Sequence, residues 1–280
     1  MKIHKILICL IITFVLLVHP VLADDEEFES LLDFSTVTSN TTNNIAEPSI
    51  NSRAAIVYER SSGIVLYSKN ENEKRKMAST TKIMTAIVVI ENSNLNDIIT
   101  ISQKAASTGG SRLGLHTGDK ISIENLLYGL LLCSGNDAAV ALAESVGNSI
   151  DGFANLMNQK STELGLHSTH FVTPHGLDDD NHYTTAYELA IITNYALNNK
   201  TFCKFVSTKN HTITINNSPK NLSNTNELLG NLEGVYGVKT GFTNGANRCL
   251  VTSVKRNNMD LICIVLGADT KKDRTRDSIA

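Results

Sequence analysis

The chain has 280 residues, 41% of them hydrophobic and 19% charged, with a formal charge of −3 at neutral pH. That length can bury a full-sized core in one large domain or two smaller ones, and the composition is that of an ordinary globular protein. There is no basic stripe to hold phosphates, so nucleic acid is not expected as a partner.

At the N-terminus, Lys2 and Lys5 precede an apolar run from Ile6 to Val18, and "HPVLA" puts Val21 and Ala23 at small-residue cleavage positions. Residues 1–23 read as a secretory signal peptide cut after Ala23, since the run is shorter than the roughly 20 apolar residues a membrane span needs. Losing Lys2 and Lys5 takes the formal charge from −3 to −5. From residue 24 to 50 the chain is acidic and then rich in Ser, Thr and Asn, as expected of a flexible linker whose acidic run Asp24 to Glu29 is a solvated tail.

The fold is expected over residues 51–280. "AAIVYERSSGIVLYSKN" reads as two β-rich runs around a Ser-Ser-Gly turn, a hairpin signature. "STTKIMTAIVVIEN" then reads as a helix buried between layers, with hydroxyl residues at its start. "SIENLLYGLLLCSGNDAAVALAESVG" contains two apolar segments broken at Ser134-Gly135-Asn136, and "YTTAYELAIITNYALNN" is a further amphipathic helix. Beyond residue 204 strands return: "HTITI" alternates, "GVYGVKTG" follows an Asn- and Gly-rich loop, and "CLVTSVKRNNMDLICIVLGA" is two runs joined by an Asn-Asn turn. The order implies an α/β protein of α+β type: an antiparallel sheet from both chain ends (about 51–78 and 204–280), covered by helices, with a mostly helical insertion (about 79–203). Cys133, Cys203, Cys249 and Cys263 remain after the signal. Cys249 and Cys263 could face each other on adjacent strands, although small buried thiols are the simpler reading.

Ser79 and Lys82 stand three apart at the start of the first helix, on one face and within hydrogen-bonding reach. Serine is a poor nucleophile unless a base takes its proton, and lysine serves only when neutral. That requires lowering its pKa from about 10.4 toward 7, roughly 4 kcal/mol, by burial and a second cation. Alone, Ser-x-x-Lys is more simply a capping serine and a solvated lysine. Two further groups change that reading. Ser134-Gly135-Asn136 interrupts a helix with a hydroxyl and an amide, and Lys239-Thr240-Gly241 ends a strand with a cation, a hydroxyl and a residue lacking a side chain. Acyl transfer needs a nucleophile, a base, oxyanion donors and a place for the substrate's charged end, and the three groups supply the parts.

The three groups, in this order, are those carried by penicillin-binding proteins and class A β-lactamases, with Gly in place of Asp in the second. The chain resembles low-molecular-mass penicillin-binding proteins of the serine-type D-alanyl-D-alanine carboxypeptidase family. The likeness runs through "TGGSRLGL", "LLYGLLLCSGNDAAVALAE", "TPHGLDDDNHYTTAYELA", "NTNELLG" and "GVKTGFTNGANRCLV", from about Ala54 to Arg274. It implies a β-lactamase/transpeptidase-like fold in an exported enzyme of the cell wall or periplasm. Such an enzyme removes the terminal D-alanine from peptidoglycan pentapeptides through an acyl-enzyme on Ser79 and is acylated by β-lactams. It also implies that Lys82 is the base, that Ser134 relays protons, and that Asn136 bonds the substrate amide or Lys82. Lys239 and Thr240 would hold the substrate carboxylate with help from Arg274. Gly241 would let the substrate backbone approach the strand, and the N–H groups of Ser79 and Phe242 would form the oxyanion hole.

Tyr236 stands where the family suggests an aspartate, and the family usually continues through the helix opened by "DTKKDRTRDSIA", a small β-rich domain and an amphipathic anchor. The chain therefore reads as a fragment, with membrane association only through an anchor beyond it. Alternatives within the fold are a D,D-endopeptidase or a β-lactamase, the latter lacking a Glu-x-x-Leu-Asn run because Glu188 lies in a helix. Outside it stands a non-catalytic sensor of penicillin or muropeptide. His167, His170 and His175 lack helical zinc spacing and read as surface or loop histidines, so no metal and no cofactor are expected. "HGLDDDNH" reads as a helix-capping loop rather than a calcium site, "TGGSRLGL" as a loop at the rim of the site, and Cys133 as core. No G-x-S-x-G elbow is present.

Overall fold

The structure is a computed structural model and describes residues 46–280. The signal peptide expected over 1–23, and all but the end of the linker expected over 24–50, lie outside the described residues.

Strands β1 (Ala54–Glu59) and β2 (Val65–Lys69) form the expected hairpin, and a 3₁₀ turn, Ala78–Thr81, leads into helix α1 (Lys82–Asn92). Then come β3 (Ile98–Thr100), the short α2 (Gln103–Ala106), β4 (Lys120–Ser122), α3 (Ile123–Leu131), α4 (Asn136–Gly147), α5 (Ile150–Glu163), α6 (Ala186–Leu197) and α7 (Lys200–Val206). The chain continues as β5 (Asn210–Ile215), β6 (Ser218–Ser223), β7 (Val235–Thr243), β8 (Asn247–Arg256), β9 (Met259–Ala268) and α8 (Lys271–Ile279). Local chemistry sets the starts: the hydroxyls of Ser122, Thr185 and Thr270 accept from the first-turn amides of α3, α6 and α8.

The main sheet has five strands in the order β2-β1-β9-β8-β7 and is antiparallel throughout. Both chain ends build it, because β1 pairs with β9 in a register that sets Ile56 opposite Ile264. Period-two alternation sends Ile262, Ile264 and Leu266 into the core with α1 and the other helices, while Cys263 faces the opposite side, its Sγ 3.8 Å from Ser278 O in α8. Helix α8 packs on β8 and β9, and Asp277 ties it to the start of β1 by accepting from Asn51 N (2.9 Å), Ser52 N (2.7 Å) and Ser52 Oγ (2.7 Å).

One expectation needs correction. "HTITI" does not join the main sheet; β5 pairs only with β6. Asn216 and Asn217 both have positive φ, the geometry of a tight two-residue hairpin, so the segment closes on itself and tucks Ile213 and Leu222 against the helical layer. The Asn257-Asn258 turn between β8 and β9 has the same geometry. The four cysteines among the described residues, Cys133, Cys203, Cys249 and Cys263, are free thiols. No helix among the described residues is long and apolar enough to cross a membrane.

Candidate active site

Helix α1 is buried on every side, with each residue from Lys82 to Val89 shielded from solvent. Its first residue therefore carries an ammonium group into the core, and the simple reading of a solvated lysine fails. Ser79 sits in the preceding 3₁₀ turn, where its hydroxyl caps no amide, next to Ala78 at φ +48°.

Lys82 Nζ lies 2.8 Å from Ser79 Oγ, 3.2 Å from Ser134 Oγ and 2.7 Å from Asn136 Oδ1. Burial, and then the charge of Lys239, push Lys82 well below the usual lysine range. A neutral amine has two N–H donors and one lone pair, which matches the three partners. It can donate to Asn136 Oδ1 and Ser134 Oγ while its lone pair faces the Ser79 hydroxyl proton.

Ser134 occupies the break between α3 and α4, and Asn136 opens α4. Ser134 adopts φ +62°, a costly conformation for a residue with a side chain, which turns its hydroxyl toward Lys82. Asn136 is locked by donating from its backbone N to Ser111 O (2.8 Å) and from Nδ2 to Gly109 O (2.7 Å). Gly110, at φ +84°, allows this approach: a Cβ there would fall 2.5 Å from Asn136 Nδ2. The fully buried Asp137 carboxylate holds the rest of that earlier loop by accepting from Leu113 N (2.7 Å), Gly114 N (2.7 Å) and Leu115 N (3.0 Å). "TGGSRLGL" is thus strapped over the second group.

Lys239, Thr240, Gly241 and Phe242 lie on β7, the edge strand beside the Ser79 turn. Lys239 is buried and donates to Thr240 O (2.9 Å); burial is the main cause that pushes its pKa down to about 7, and Arg274 adds to it. The Thr240 hydroxyl shares a 2.8 Å hydrogen bond with Thr225. At Gly241 a Cβ would stand 3.1 Å from both Ala78 Cβ and Ser79 N, so its close neighbour is the turn carrying Ser79. Phe242 is half exposed, with the Arg248 guanidinium 4.3 Å from its ring centroid. Arg274, from α8, is buried near Lys239 and pairs with Glu227. Tyr236 donates to Asp260 Oδ1 (2.5 Å) and accepts from Arg60 (2.9 Å), a brace between strand ends.

One histidine departs from the surface reading. His167 and His170 are exposed, but His175 is buried near Lys82, and burial followed by that lysine lowers its pKa to about 3. His182, also buried, has a pKa lowered to about 4, chiefly by desolvation. Its Nδ1 accepts from Val172 N (3.0 Å), which leaves Nε2–H to donate to Thr81 Oγ1 (2.8 Å); that hydroxyl in turn donates to Ala78 O (2.8 Å). The loop "HGLDDDNH" consequently braces the serine turn. Its carboxylates are tethers as well, Asp178 to Thr243 Oγ1 (2.6 Å) and Gly245 N (2.9 Å), and Asp180 to Lys76 (2.9 Å). Nothing in residue spacing signals either histidine, since burial of a loop depends on what the chain lays over it.

The family described as D-alanyl-D-alanine carboxypeptidase matches residues 41–270. The D-alanyl-D-alanine carboxypeptidase DacF of Bacillus subtilis is 41% identical over 228 residues, 79% of this chain and 59% of its own. The D-alanyl-D-alanine carboxypeptidase of Streptomyces sp. strain K15 is 36% identical over 267 residues, 89% of this chain and 92% of its own. The crystal structure of the Streptomyces K15 DD-transpeptidase superposes with a TM-score of 0.80 at 35% identity, covering 84% of this chain and 97% of that one. The present chain thus spans about three fifths of the Bacillus relative and nearly all of the Streptomyces one.

Proposed function

The chain belongs to the D-alanyl-D-alanine carboxypeptidase family, and from that membership we propose that it removes the terminal D-alanine from peptidoglycan stem pentapeptides. Ser79 Oγ attacks the carbonyl between the two D-alanines while its proton passes to neutral Lys82 Nζ. The new oxyanion is received by the N–H groups of Ser79 and Phe242. As the C–N bond breaks, Lys82 returns the proton through Ser134 Oγ to the departing D-alanine nitrogen. Water then cleaves the Ser79 ester and releases the tetrapeptide. Asn136 orients Lys82 through Oδ1. Lys239, Thr240 and Arg274 hold the terminal carboxylate, and the open edge of β7 pairs with the extended donor backbone. β-Lactams, whose strained amide resembles the scissile one, acylate the same serine.

The observation that carries this reading is the buried Lys82 Nζ within 2.8 Å of Ser79 Oγ. The signal-like N-terminus supports action outside the cytoplasmic membrane. Release of D-alanine from a diacyl-Lys-D-Ala-D-Ala tripeptide by the parent, and none by Ser79→Ala, is the expected result. A folded parent that is labelled by penicillin yet releases nothing favours the sensor reading. The name of the Streptomyces K15 neighbour, DD-transpeptidase, motivates a second reading in which an amine intercepts the acyl-enzyme. Adding a glycyl acceptor to the same assay reads that partition directly.

A further inference from the structure

We propose that Glu227 is the positioning residue of the carboxylate-binding corner, holding the Arg274 guanidinium in the orientation that receives the donor's terminal carboxylate. This rests on the carboxypeptidase reading, which gives Arg274 and Lys239 that carboxylate as their ligand.

Arg274 reaches the corner from α8 and is only 4% exposed. Such a long side chain stays in one rotamer only if its head group is anchored. The anchor is a single ion pair: Nη2 donates to Glu227 Oε1, which also accepts from Thr275 Oγ1 (2.5 Å). Arg274 Nε and Glu227 Oε2 are buried without a hydrogen-bonding partner among the described residues. No other hydrogen bond or ion pair within that set holds the guanidinium, and the buried Nε–H remains to be satisfied.

Glu227 is itself held firmly. Leu228 and Leu229, which follow it, are buried, and Leu228 N donates to Asn226 Oδ1 (3.1 Å). On its other side Thr225 N donates to Leu132 O (3.0 Å), just ahead of Ser134, and Thr225 Oγ1 bonds Thr240 Oγ1 (2.8 Å). One turn therefore bonds the backbone just ahead of the second group, the third group and Arg274. Burial raises the Glu227 carboxyl, but Arg274 and the Thr275 hydroxyl more than offset this and hold it below the ordinary glutamate value. Its negative charge can only repel an incoming carboxylate, so its contribution to binding is geometric.

Geometry and charge separate in two conservative variants. Glu227→Gln keeps the reach and an acceptor oxygen but loses the charge; Glu227→Asp keeps the charge and loses the reach. The readout is the ratio of kcat/KM for two acyl-D-alanyl thioesters, one with a thioglycolate leaving group that carries a carboxylate and one with an ethanethiol leaving group that does not. The parent should prefer the thioglycolate ester and Glu227→Gln should keep that preference. Glu227→Asp and Arg274→Ala should lose about tenfold or more of it. A preference retained in Glu227→Asp, or lost in Glu227→Gln, overturns the proposal, as does an equal loss on both esters, which marks a purely structural role. A parent with no preference overturns the carboxypeptidase reading together with it.

Discussion

Lys82 and Lys239 are two buried lysines in one cleft, and after desolvation the charge of Lys239 is the main cause that holds Lys82 below its ordinary pKa. Each cation has a different task in the proposed cycle: Lys82 must lose its proton to act, and Lys239 must keep its own to hold a carboxylate. A neutral Lys82 beside a charged Lys239 is the arrangement both tasks need.

The pH dependence follows from Lys239, whose pKa is lowered to about 7. It is charged below that value, so kcat/KM for a carboxylate-terminated donor should fall as pH rises through 7. Bound carboxylate draws the proton back, so kcat should hold to higher pH. Stability takes the opposite slope. Between about 7 and 10.5 the unfolded chain binds a proton at this lysine that the folded one does not, so its share of stability rises with pH across that window. Thermal melts of the parent and Lys239→Met across it should converge as pH increases, with the variant the more stable at pH 7. A constant difference would contradict the shift.

Much of this arrangement is legible in the sequence, and what is missed has a physical reason. The serine-lysine spacing, the helix break at Ser134 and the Lys239-Thr240-Gly241 run are local patterns, although β7 continues past that run to Thr243, and so are the Asn-Asn turn and the first hairpin. The first two of them converge on Lys82 Nζ through Ser79, Ser134 and Asn136. Asp137 and Glu227 are different, because a carboxylate that ties down a distant loop or arginine looks the same in sequence as a solvated one. His175 and His182 are hidden likewise in a polar loop that folds inward. Gly241 reads as room for substrate, yet its missing Cβ also makes room for the Ser79 turn.

The histidines carry an acid limit. With pKa values lowered from 6.5 to about 3 and about 4, His175 and His182 stay neutral when the unfolded chain has begun to bind protons there. Their contribution is complete above pH 6.5 and is lost as pH falls from 6.5 toward 3. Denaturant unfolding from pH 7 to 4 should show this loss, and His175→Gln should flatten it. An unchanged slope in the variant would show that His175 is not the group that titrates.

Gly241→Ala tests the packing of β7 on the serine turn. The added methyl meets Ala78 Cβ and Ser79 N at 3.1 Å, so Ser79 must shift by a few tenths of an ångström. We expect a cost of about 1–2 kcal/mol in stability and a fall of roughly tenfold or more in the acylation rate. Stopped-flow labelling with a chromogenic cephalosporin measures it, and a parental rate would mean the turn moves freely.

Lysine as base is the central claim, and acylation of Lys82→Met by benzylpenicillin tests it most directly, followed by intact mass and by peptide mapping at Ser79. Methionine matches the buried stem, and removing an amine that is costly to bury offsets the hydrogen bonds lost at Ser134 and Asn136, so the variant should still fold. The account predicts a full adduct on Ser79 in the parent and none in the folded variant over the same time. A Ser79 adduct forming in Lys82→Met at the parental rate would contradict it.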